Sequence, residues 1–273
     1  MAAGLTCLLV CIGLVATQSW HGRFSLDGLD GIQKFHAAPT PRIGGVGIAL
    51  GLSAGWMVAP ATVADLAAPV FLAGVIAFGF GMAEDVTRRV SIRSRLLATM
   101  ASGALAWGLT GVSLTRVDVW GVDTLLAWTP ASVVFTAFAV GGVANAINII
   151  DGFNGLAAGV ILIALLALGV LAQSAGDTAL AGACLLVGGS VIGFLLVNFP
   201  FGKIFLGDGG AYLLGFLVAW MAVLLAYRNP GLSPWAALLA CAYPVLEVLF
   251  SIYRRAVRRH HPGHPDRLHL HSL

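Results

Sequence analysis

Residues 155–197 read GLAAGVILIALLALGVLAQ, SAGDT and ALAGACLLVGGSVIGFLLV, which divide the stretch into 155–173, 174–178 and 179–197. Asp177 is the one charged residue of this stretch, and it lies in the short link between the two apolar runs. A helix of about 20 apolar residues, with about 17 tolerated, crosses the hydrocarbon core of a bilayer. The stretch therefore predicts two membrane-spanning helices joined by a tight turn.

The same composition extends over the whole chain of 273 residues, of which 59% are hydrophobic and 10% are charged. In soluble domains about a quarter of the residues are charged. The sequence thus predicts an all-α, polytopic membrane helix bundle that forms a single domain over residues 1–273. Leu5–Ala16 is short enough for a signal peptide, but no basic residues precede it, so we interpret it as a membrane helix. The predicted spans are the nine segments 2–18, 43–64, 67–83, 96–112, 124–146, 155–173, 179–197, 209–227 and 233–253.

The basic residues indicate how the bundle is oriented. When the predicted spans alternate, all of the 15 Lys and Arg residues except Arg116 and Arg228 fall on one side. Cytosolic loops collect Lys and Arg, so we predict that the N-terminus is outside and that the crowded side faces the cytosol. The net charge of +3 then reflects topology, and nucleic acid is not an expected partner. The predicted cytosolic segments are residues 20–42, 84–95, 151–155, 198–208 and 254–273.

Two of these segments carry charged residues that suit a phosphate or a cation. Lys34 and Arg42 precede the second span, and either an ordinary loop or a phosphate site explains them. Glu84 and Asp85 directly follow the third span. Adjacent carboxylates repel each other unless a cation or a proton lies between them, which favours a divalent metal or a general base. A solvated helix end with nearby arginines explains the pair equally well.

The strongest local signal is the segment NAINIIDGFNG at residues 145–155. Asn145, Asn148 and Asp151 lie at a spacing of three, so they spread over about 120° of a helix. Amides and a carboxylate that face lipid are costly, and we expect these side chains to face a cavity or one another. The two glycines of the segment end the helix and leave free backbone donors that suit a phosphate or a nucleobase.

Two later segments complete the polar set. Asp208 lies between glycines at the start of the eighth span, where it is either a helix cap or a metal ligand. Lys203 precedes it and can neutralise phosphate charge. Metal ligands usually converge from separate elements, so Arg267, His269 and His271 in the C-terminal tail suit a nucleotide diphosphate better than a metal.

In this order, the segments resemble those of the polyprenyl-phosphate N-acetylhexosamine-1-phosphate transferase superfamily, glycosyltransferase family 4. The paired-aspartate motif of that family falls on Glu84-Asp85, its Asn-x-x-Asn-x-x-Asp-Gly motif on residues 145–152, and its Gly-Asp motif on Gly207-Asp208. Its late histidine motif falls on residues 269–271. The resemblance covers nearly the whole chain and points to the bacterial branch that begins O-antigen and related surface glycans on undecaprenyl phosphate.

The resemblance implies an enzyme that transfers an N-acetylhexosamine 1-phosphate from a UDP-sugar to undecaprenyl phosphate and releases UMP. It implies dependence on Mg²⁺, with Mn²⁺ as a second choice, and a multi-pass protein of the bacterial inner membrane, in contact with membrane lipid, whose active site faces the cytoplasm. It also allows a homodimer, and it leaves open whether the donor carries GlcNAc or a 6-deoxy sugar. The implied catalytic residues are Glu84, Asp85, Asp151 and Asp208, and the implied metal ligands are Asn148 and Asp208. The implied substrate-binding residues are Lys34, Arg42, Asn145, Asn154, Lys203, Arg267, His269 and His271.

Within this scheme Asp85, with Glu84, accepts the proton of the lipid phosphate or extends the metal shell. Asp151 and Asn154 contact the nucleoside, and the tail residues hold the departing phosphate. Glu84 stands where the family usually has a first aspartate, and Asn154 stands where many members have a second aspartate.

The alternatives are weaker. The peptidoglycan branch, which transfers phospho-MurNAc-pentapeptide, has a lysine after its paired aspartates and three consecutive histidines, and this chain has neither. A secondary transporter binds its substrate near the midplane between repeated halves, whereas this chain has no repeat and its polar residues gather on one side. A pure scaffold would not need these motifs. Family members usually continue with one or two more spans, so we expect this chain to be truncated at its C-terminus.

Overall fold

The structure is a computed structural model that describes residues 1–27 and 39–257. It confirms the predicted all-α membrane bundle. The strands within these residues are β1 (Leu26–Asp27) and β2 (Thr40–Pro41), which pair in antiparallel fashion. The helices are α1 (Ala2–Ala16), α2 (Gln18–Ser25), α3 (Gly44–Met57), α4 (Ala61–Thr87), α5 (Ile92–Thr110), α6 (Val122–Leu126), α7 (Thr129–Ile150), α8 (Leu156–Ser174), α9 (Thr178–Asn198), α10 (Gly207–Arg228), α11 (Pro234–Ala240) and α12 (Ala242–Val257).

The number of membrane crossings depends on how bent helices are counted. In the part of the chain that the structure describes, α4, α7, α8, α9 and α10 are each long and apolar enough to cross a membrane, and the number rises from 5 to 7 if each of two bent pairs is one span. With 14 residues, α3 is shorter than a full span. The count of nine spans stays a prediction.

Four predicted spans have the wrong shape. The span 124–146 crosses the break between α6, which ends at Leu126, and α7, which begins at Thr129. The span 2–18 ends at Ala16, and α2 leaves α1 at an angle of 88°. The span 43–64 ends at Met57, because Pro60 has an extended backbone (φ −55°, ψ 145°) and α4 begins only after it. The span 233–253 is broken at Cys241, where α11 and α12 meet at 77°. Hydropathy is averaged over a window and does not register such breaks.

The helix α10 lies at the centre of the bundle, because 89% of the residues in an 18-residue apolar stretch of this helix are buried. Its side chains are apolar on all sides, including the fully buried Phe216 and Trp220, as expected of a helix enclosed by others. It packs along α4 and α7. At Gly215 the approach of α7 is so close that an added Cβ would lie 2.7 Å from the Cα of Ala144. The first turn of α10 is therefore fixed relative to the ends of both neighbours.

The segments predicted to be cytosolic around residues 42, 84–95, 151–155 and 198–208, all within the described residues, meet at one end of the bundle. There the backbone N–H of Gly155, after α7, donates to Asn198 Oδ1, at the end of α9, at 2.7 Å. At the opposite end of the bundle a separate ion pair joins the end of α10 to the start of α9, where Arg228 Nε donates to Asp177 Oδ2 at 2.6 Å. The fold thus gathers the polar motifs of the described residues at a single end, while the face of the membrane that this end meets stays a prediction.

Candidate active site

Asp85 is a fully buried carboxylate in the last turns of α4. Its Oδ1 accepts a hydrogen bond from the backbone N–H of Asp208 at 2.9 Å, and its Oδ2 accepts one from Gly209 at 2.8 Å. Arg42, which follows β2, donates to Oδ1 from Nε at 3.0 Å, and its Nη2 forms an ion pair with the same oxygen at 3.0 Å. A buried charge is tolerated only when it is paired and hydrogen-bonded. Asp85 meets this condition by capping the start of α10 from a neighbouring helix.

The glycines beside Asp208 make this close approach sterically feasible. Gly207 has φ +73°, a conformation that favours glycine, and an added Cβ would overlap the carbonyl oxygen of Arg42 and lie 2.7 Å from Asp85 Oδ2. At Gly81, one turn before Asp85, an added Cβ would lie 2.5 Å from the carbonyl oxygen of Asp208. The glycines therefore allow α4 and α10 to meet at the site.

Asp208 lies in the first turn of α10, and its side chain is 14% exposed. Its Oδ2 forms an ion pair with Arg95 from α5. Its Oδ1 accepts a hydrogen bond from Asn148 Nδ2 at 3.1 Å and lies 3.6 Å from Arg42 Nη2. One turn further along α10, the hydroxyl of Tyr212 donates to Asn148 Oδ1 at 3.1 Å. Side chains from three other parts of the chain, Arg42, Arg95 and Asn148, thus converge on Asp208.

Asp151 adds a third carboxylate directly after α7. Burial is the main cause that raises the pKa of Asp151 to about 7. The negative charges of Asp208 and Asp85 raise this pKa further, and the positive charge of Arg42 opposes them. Three acidic groups therefore face Arg42 and Arg95, and this mixture of charges suits a ligand that carries both a cation and phosphate groups.

Two predicted site residues have structural partners at the margin of this cluster. Glu84 Oε2 accepts a hydrogen bond from the backbone N–H of Val90 at 2.8 Å and so holds the turn after α4. Asn145 Nδ2 donates to Thr99 Oγ1 at 3.1 Å and to the carbonyl oxygen of Gly141 at 2.7 Å. A spacing of six residues places Asn145 about 9 Å deeper along α7 than Asp151. The structure therefore brings Asn148 and Asp151 to the acidic cluster and leaves Asn145 in the contact with α5.

The remaining predicted residues lie on the loop that joins α9 to α10, against that loop, or outside the described residues. Asn154 Nδ2 donates to the carbonyl oxygen of Pro200 at 3.2 Å. Lys203 is exposed on the same loop, which Asn198 stabilises by donating to the carbonyl oxygen of Ile204 at 2.7 Å. The predicted residues that lie outside the described residues are Lys34, Arg267, His269 and His271.

Three residues of the site, Arg95, Tyr212 and Asp27, are not predicted from the sequence. Arg95 indicates topology there, although a basic residue close after a paired-carboxylate motif is also a candidate partner for that motif. Tyr212 follows Asp208 at a spacing of four, which places both side chains on one helix face and was a usable signal. Asp27 Oδ1 lies 3.8 Å from Arg42 Nη1, and nothing in the sequence indicates this contact across the segment between β1 and β2.

The oxygen atoms at the site fit a hard divalent cation. Within the described residues, no group of three or more His, Cys, Asp and Glu side chains forms a ready-made metal site. Mg²⁺ in proteins usually has one or two carboxylates, with water and substrate phosphate as its other ligands. Asp208 and the amide oxygen of Asn148, with Asp151 beside them, supply oxygens of that kind. In this structure Asn148 Nδ2 faces Asp208 and Asn148 Oδ1 accepts from Tyr212, so a bound cation would require the amide of Asn148 to turn over.

Comparison with known proteins places these residues in a family. The profile of glycosyl transferase family 4 matches residues 67–226, which include Asp85, Asn148, Asp151 and Asp208. The chain is 29% identical over 245 residues to a probable undecaprenyl-phosphate N-acetylglucosaminyl 1-phosphate transferase of Bacillus subtilis, covering 88% of this chain and 66% of that protein. It is 30% identical over 276 residues to a decaprenyl-phosphate N-acetylglucosaminephosphotransferase of Mycobacterium tuberculosis, covering 86% and 65%.

A third relative is the undecaprenyl-phosphate alpha-N-acetylglucosaminyl 1-phosphate transferase of Yersinia pestis, at 26% identity over 246 residues, with 88% of this chain and 67% of the relative covered. The chain thus spans about two thirds of the length of these relatives. Because the family profile covers more than half of its residues, this chain belongs to glycosyl transferase family 4.

Proposed function

We propose that this protein transfers an N-acetylhexosamine 1-phosphate from a UDP-sugar to a polyprenyl phosphate, with UMP as the second product. The observation that carries the proposal is the cluster of Asp208, Asn148 and Asp151 with Arg42 and Arg95 at one end of an apolar bundle. A lipid phosphate and a nucleotide sugar can meet only where lipid and water adjoin. The names of the relatives favour undecaprenyl phosphate as the acceptor and N-acetylglucosamine 1-phosphate as the transferred group, and we propose UDP-N-acetylglucosamine as its donor.

In this reaction an oxygen of the acceptor phosphate attacks the phosphorus that bears the sugar. The bond from that phosphorus to the oxygen of the UMP phosphate breaks, and UMP leaves with the electron pair. Both reactants are negatively charged, so positioning and charge neutralisation supply most of the catalysis in such transfers. Arg42 and Arg95 already reach Asp208 and can donate to non-bridging phosphate oxygens that approach it.

We propose that Asp208 and Asn148 hold the Mg²⁺ or Mn²⁺, with Asp151 next to them. When bound, the metal neutralises phosphate charge and polarises the phosphoryl oxygens. Tyr212 and Arg95 orient its ligands, because Tyr212 donates to Asn148 and Arg95 pairs with Asp208. Asn154 donates to Pro200 on the loop that carries Lys203, directly before Gly207 and Asp208, and this contact supports a role for both residues in holding the UDP moiety.

The contacts of Asp85 favour a positioning role over proton transfer or metal binding. A carboxylate has about four acceptor sites, and Asp85 uses its oxygens for two backbone N–H groups and the guanidinium of Arg42. All of these donors belong to the fold. We therefore propose that Asp85 sets the place of Asp208 and the orientation of Arg42. For Glu84, a role beside Asp85 stays a prediction.

The bias of Lys and Arg toward the end of the bundle that carries the site supports a cytoplasmic active site in the bacterial inner membrane. A cytoplasmic site would also give direct access to a soluble nucleotide sugar. A homodimer stays a prediction.

The test of the proposed function is the release of UMP by the purified protein in detergent. We expect UMP from UDP-N-acetylglucosamine only when undecaprenyl phosphate and Mg²⁺ are both present, each being omitted in turn. UMP formed without the acceptor would indicate a hydrolase. If no UMP is formed from a panel of UDP-sugars while radiolabelled substrate accumulates in proteoliposomes, the protein would be a transporter and the proposal would be wrong.

The raised pKa of Asp151 predicts that Mg²⁺ binding depends on pH. Because burial raises this pKa to about 7, the metal-free carboxyl holds a proton below that pH, and a neighbouring cation must displace it. We expect the Mg²⁺ concentration for half-maximal UMP release to fall as the pH rises from 6 to 8 (about one unit on either side of this pKa). In Asp151→Asn this pH dependence should disappear. An unchanged dependence in the variant would show that another group titrates.

A further inference from the structure

The short helix α2 lies across the end of the bundle where the active site is found. The apolar helix α1 packs against α3 and α9, so its axis follows the bundle, and α2 leaves it at 88° after Ala16. The carbonyl oxygen of Ser25, the last residue of α2, accepts a hydrogen bond from the backbone N–H of Arg42 at 2.8 Å. The helix is therefore oriented nearly parallel to the plane that a bilayer surface would occupy.

The two faces of α2 differ in their surroundings. Gly22 and Ser25 are buried against the protein. Trp20 and Phe24, one turn apart on another face, are 84% and 50% exposed. The guanidinium of Arg23 lies 4.3 Å from the ring centroid of Phe24 and is exposed as well. An exposed pair of large aromatic residues next to a cation is thus presented at the level where the apolar helix α1 ends.

We propose that α2 is an interfacial helix that binds the lipid headgroup layer. Trp20 and Phe24 would lie at the boundary between headgroups and acyl chains, where aromatic side chains concentrate in membrane proteins. Arg23 would pair with lipid phosphate, with the stronger attraction to anionic lipids. The occupant is lipid because α2 continues directly from a helix that lies within the apolar bundle, so its depth in the bilayer is fixed by α1.

The anchor also connects to the active site, and this consequence rests on the proposed function. Directly after α2, Leu26 pairs with Pro41 and Asp27 pairs with Thr40 in the small sheet. Asp27 also lies 3.8 Å from Arg42 Nη1. The lipid-bound helix thus sets the depth of Arg42, the residue proposed to contact phosphate. An acceptor whose phosphate is held in the same headgroup layer would meet Arg42 at a matching height.

The first test measures the depth of α2 without any use of activity. Trp20→Cys and Phe24→Cys are each labelled with a nitroxide, and the full chain is placed in bilayers of phosphatidylcholine with and without phosphatidylglycerol. The four native cysteines are buried, and the unmutated chain gives the background labelling. Arg89→Cys, in the exposed turn after α4, is the aqueous control.

We expect labels at 20 and 24 to collide often with oxygen and several times less often with a water-soluble nickel complex than the label at 89. Labels at 20 and 24 that are as accessible to nickel as the label at 89 would overturn the proposal. Low collision rates with both reagents would also overturn it, because they would mean that protein, such as a second copy of the chain, covers this face. Equal results in both lipid mixtures would remove the part played by Arg23.

The second test measures the connection to the site. The double variant Trp20→Ala/Phe24→Ala should raise the KM for undecaprenyl phosphate in bilayers several-fold and leave kcat and the KM for the UDP-sugar nearly unchanged. Phe138→Ala, which removes a 61% exposed aromatic side chain from α7, is the matched control. It should leave kcat and both KM values unchanged. If the labels report lipid contact but the KM does not change, α2 is an anchor without influence on Arg42. If no variant or parent shows turnover, the proposed function fails while the depth measurement still stands.

Discussion

Replacement of Asp208 by asparagine is expected to abolish UMP release while the protein stays folded. The substitution removes the charge that pairs with Arg95 and that would hold the metal, at a position that is only partly buried. Loss of metal-based charge stabilisation is worth several kcal/mol, which corresponds to about a thousandfold fall in kcat or more. The measurement is initial UMP release with saturating undecaprenyl phosphate, together with the Tm in detergent.

Asp65→Asn is the matched control for this variant. Asp65 is an exposed residue near the beginning of α4, far along that helix from Asp85, and its substitution should leave UMP release and the Tm unchanged. If Asp208→Asn retains more than about a tenth of the parental rate, a loss of only 1.4 kcal/mol, Asp208 does not hold the metal. If a higher Mg²⁺ concentration restores UMP release by Asp208→Asn, the variant binds the metal more weakly, in agreement with the assignment.

Replacement of Asp85 by asparagine is expected to remove activity in a different way, by loosening the fold. The carboxamide of asparagine places an NH₂ group against at least one of the N–H groups that donate to Asp85 in the parent protein. It also leaves Arg42 without its buried counter-charge. Breaking a buried ion pair by neutralising one partner costs about 3–5 kcal/mol. The variant should therefore show a clearly lower Tm, in addition to the loss of UMP release.

The two aspartate variants together separate positioning from chemistry. If Asp85 were only a general base, Asp85→Asn would lose turnover at a parental Tm, and the remaining rate would no longer depend on pH in the acid range. If it positions Asp208, Arg42→Gln should lower the Tm in a similar manner, because it removes the same pair from its other side. A parental Tm in both variants would contradict the positioning role.

Much of the fold followed from the apolar runs alone. The two runs at residues 155–197 form α8 and α9 with Asp177 between them. The bends at Ala16 and Cys241 were not predictable in the same way, because neighbouring helices and not local hydropathy determine where an apolar segment turns. The end of α3 was signalled by Pro60, which the averaged hydropathy concealed.

For the candidate site, the sequence predicted Asn148, Asp151 and Asp208 at one end of the bundle, where the structure has them. Asp151 and Asp208 each lie next to a glycine at a helix end or start, and Asn148 lies within one turn of Asp151. It did not distinguish Asp85, which is fully buried, from Glu84, which holds a turn. Adjacent residues on a helix differ by about 100° in direction, and only the position of α10 decides which one points inward. The partner arginines come from distant segments, and their pairing requires the assembled bundle.

The enclosed position of α10 has a consequence for biogenesis. During synthesis α3, α4, α5 and α7 enter the membrane before Gly207 has been made. Until α10 follows, Asp85 lacks the backbone N–H donors of residues 208 and 209. A buried acceptor that lacks its donors costs about 1–3 kcal/mol each, which keeps the early helices loosely associated. Insertion of α10 then supplies these donors and the side chain of Asp208 together. We therefore expect a chain arrested before Gly207 to be cleaved by membrane proteases faster than the full chain.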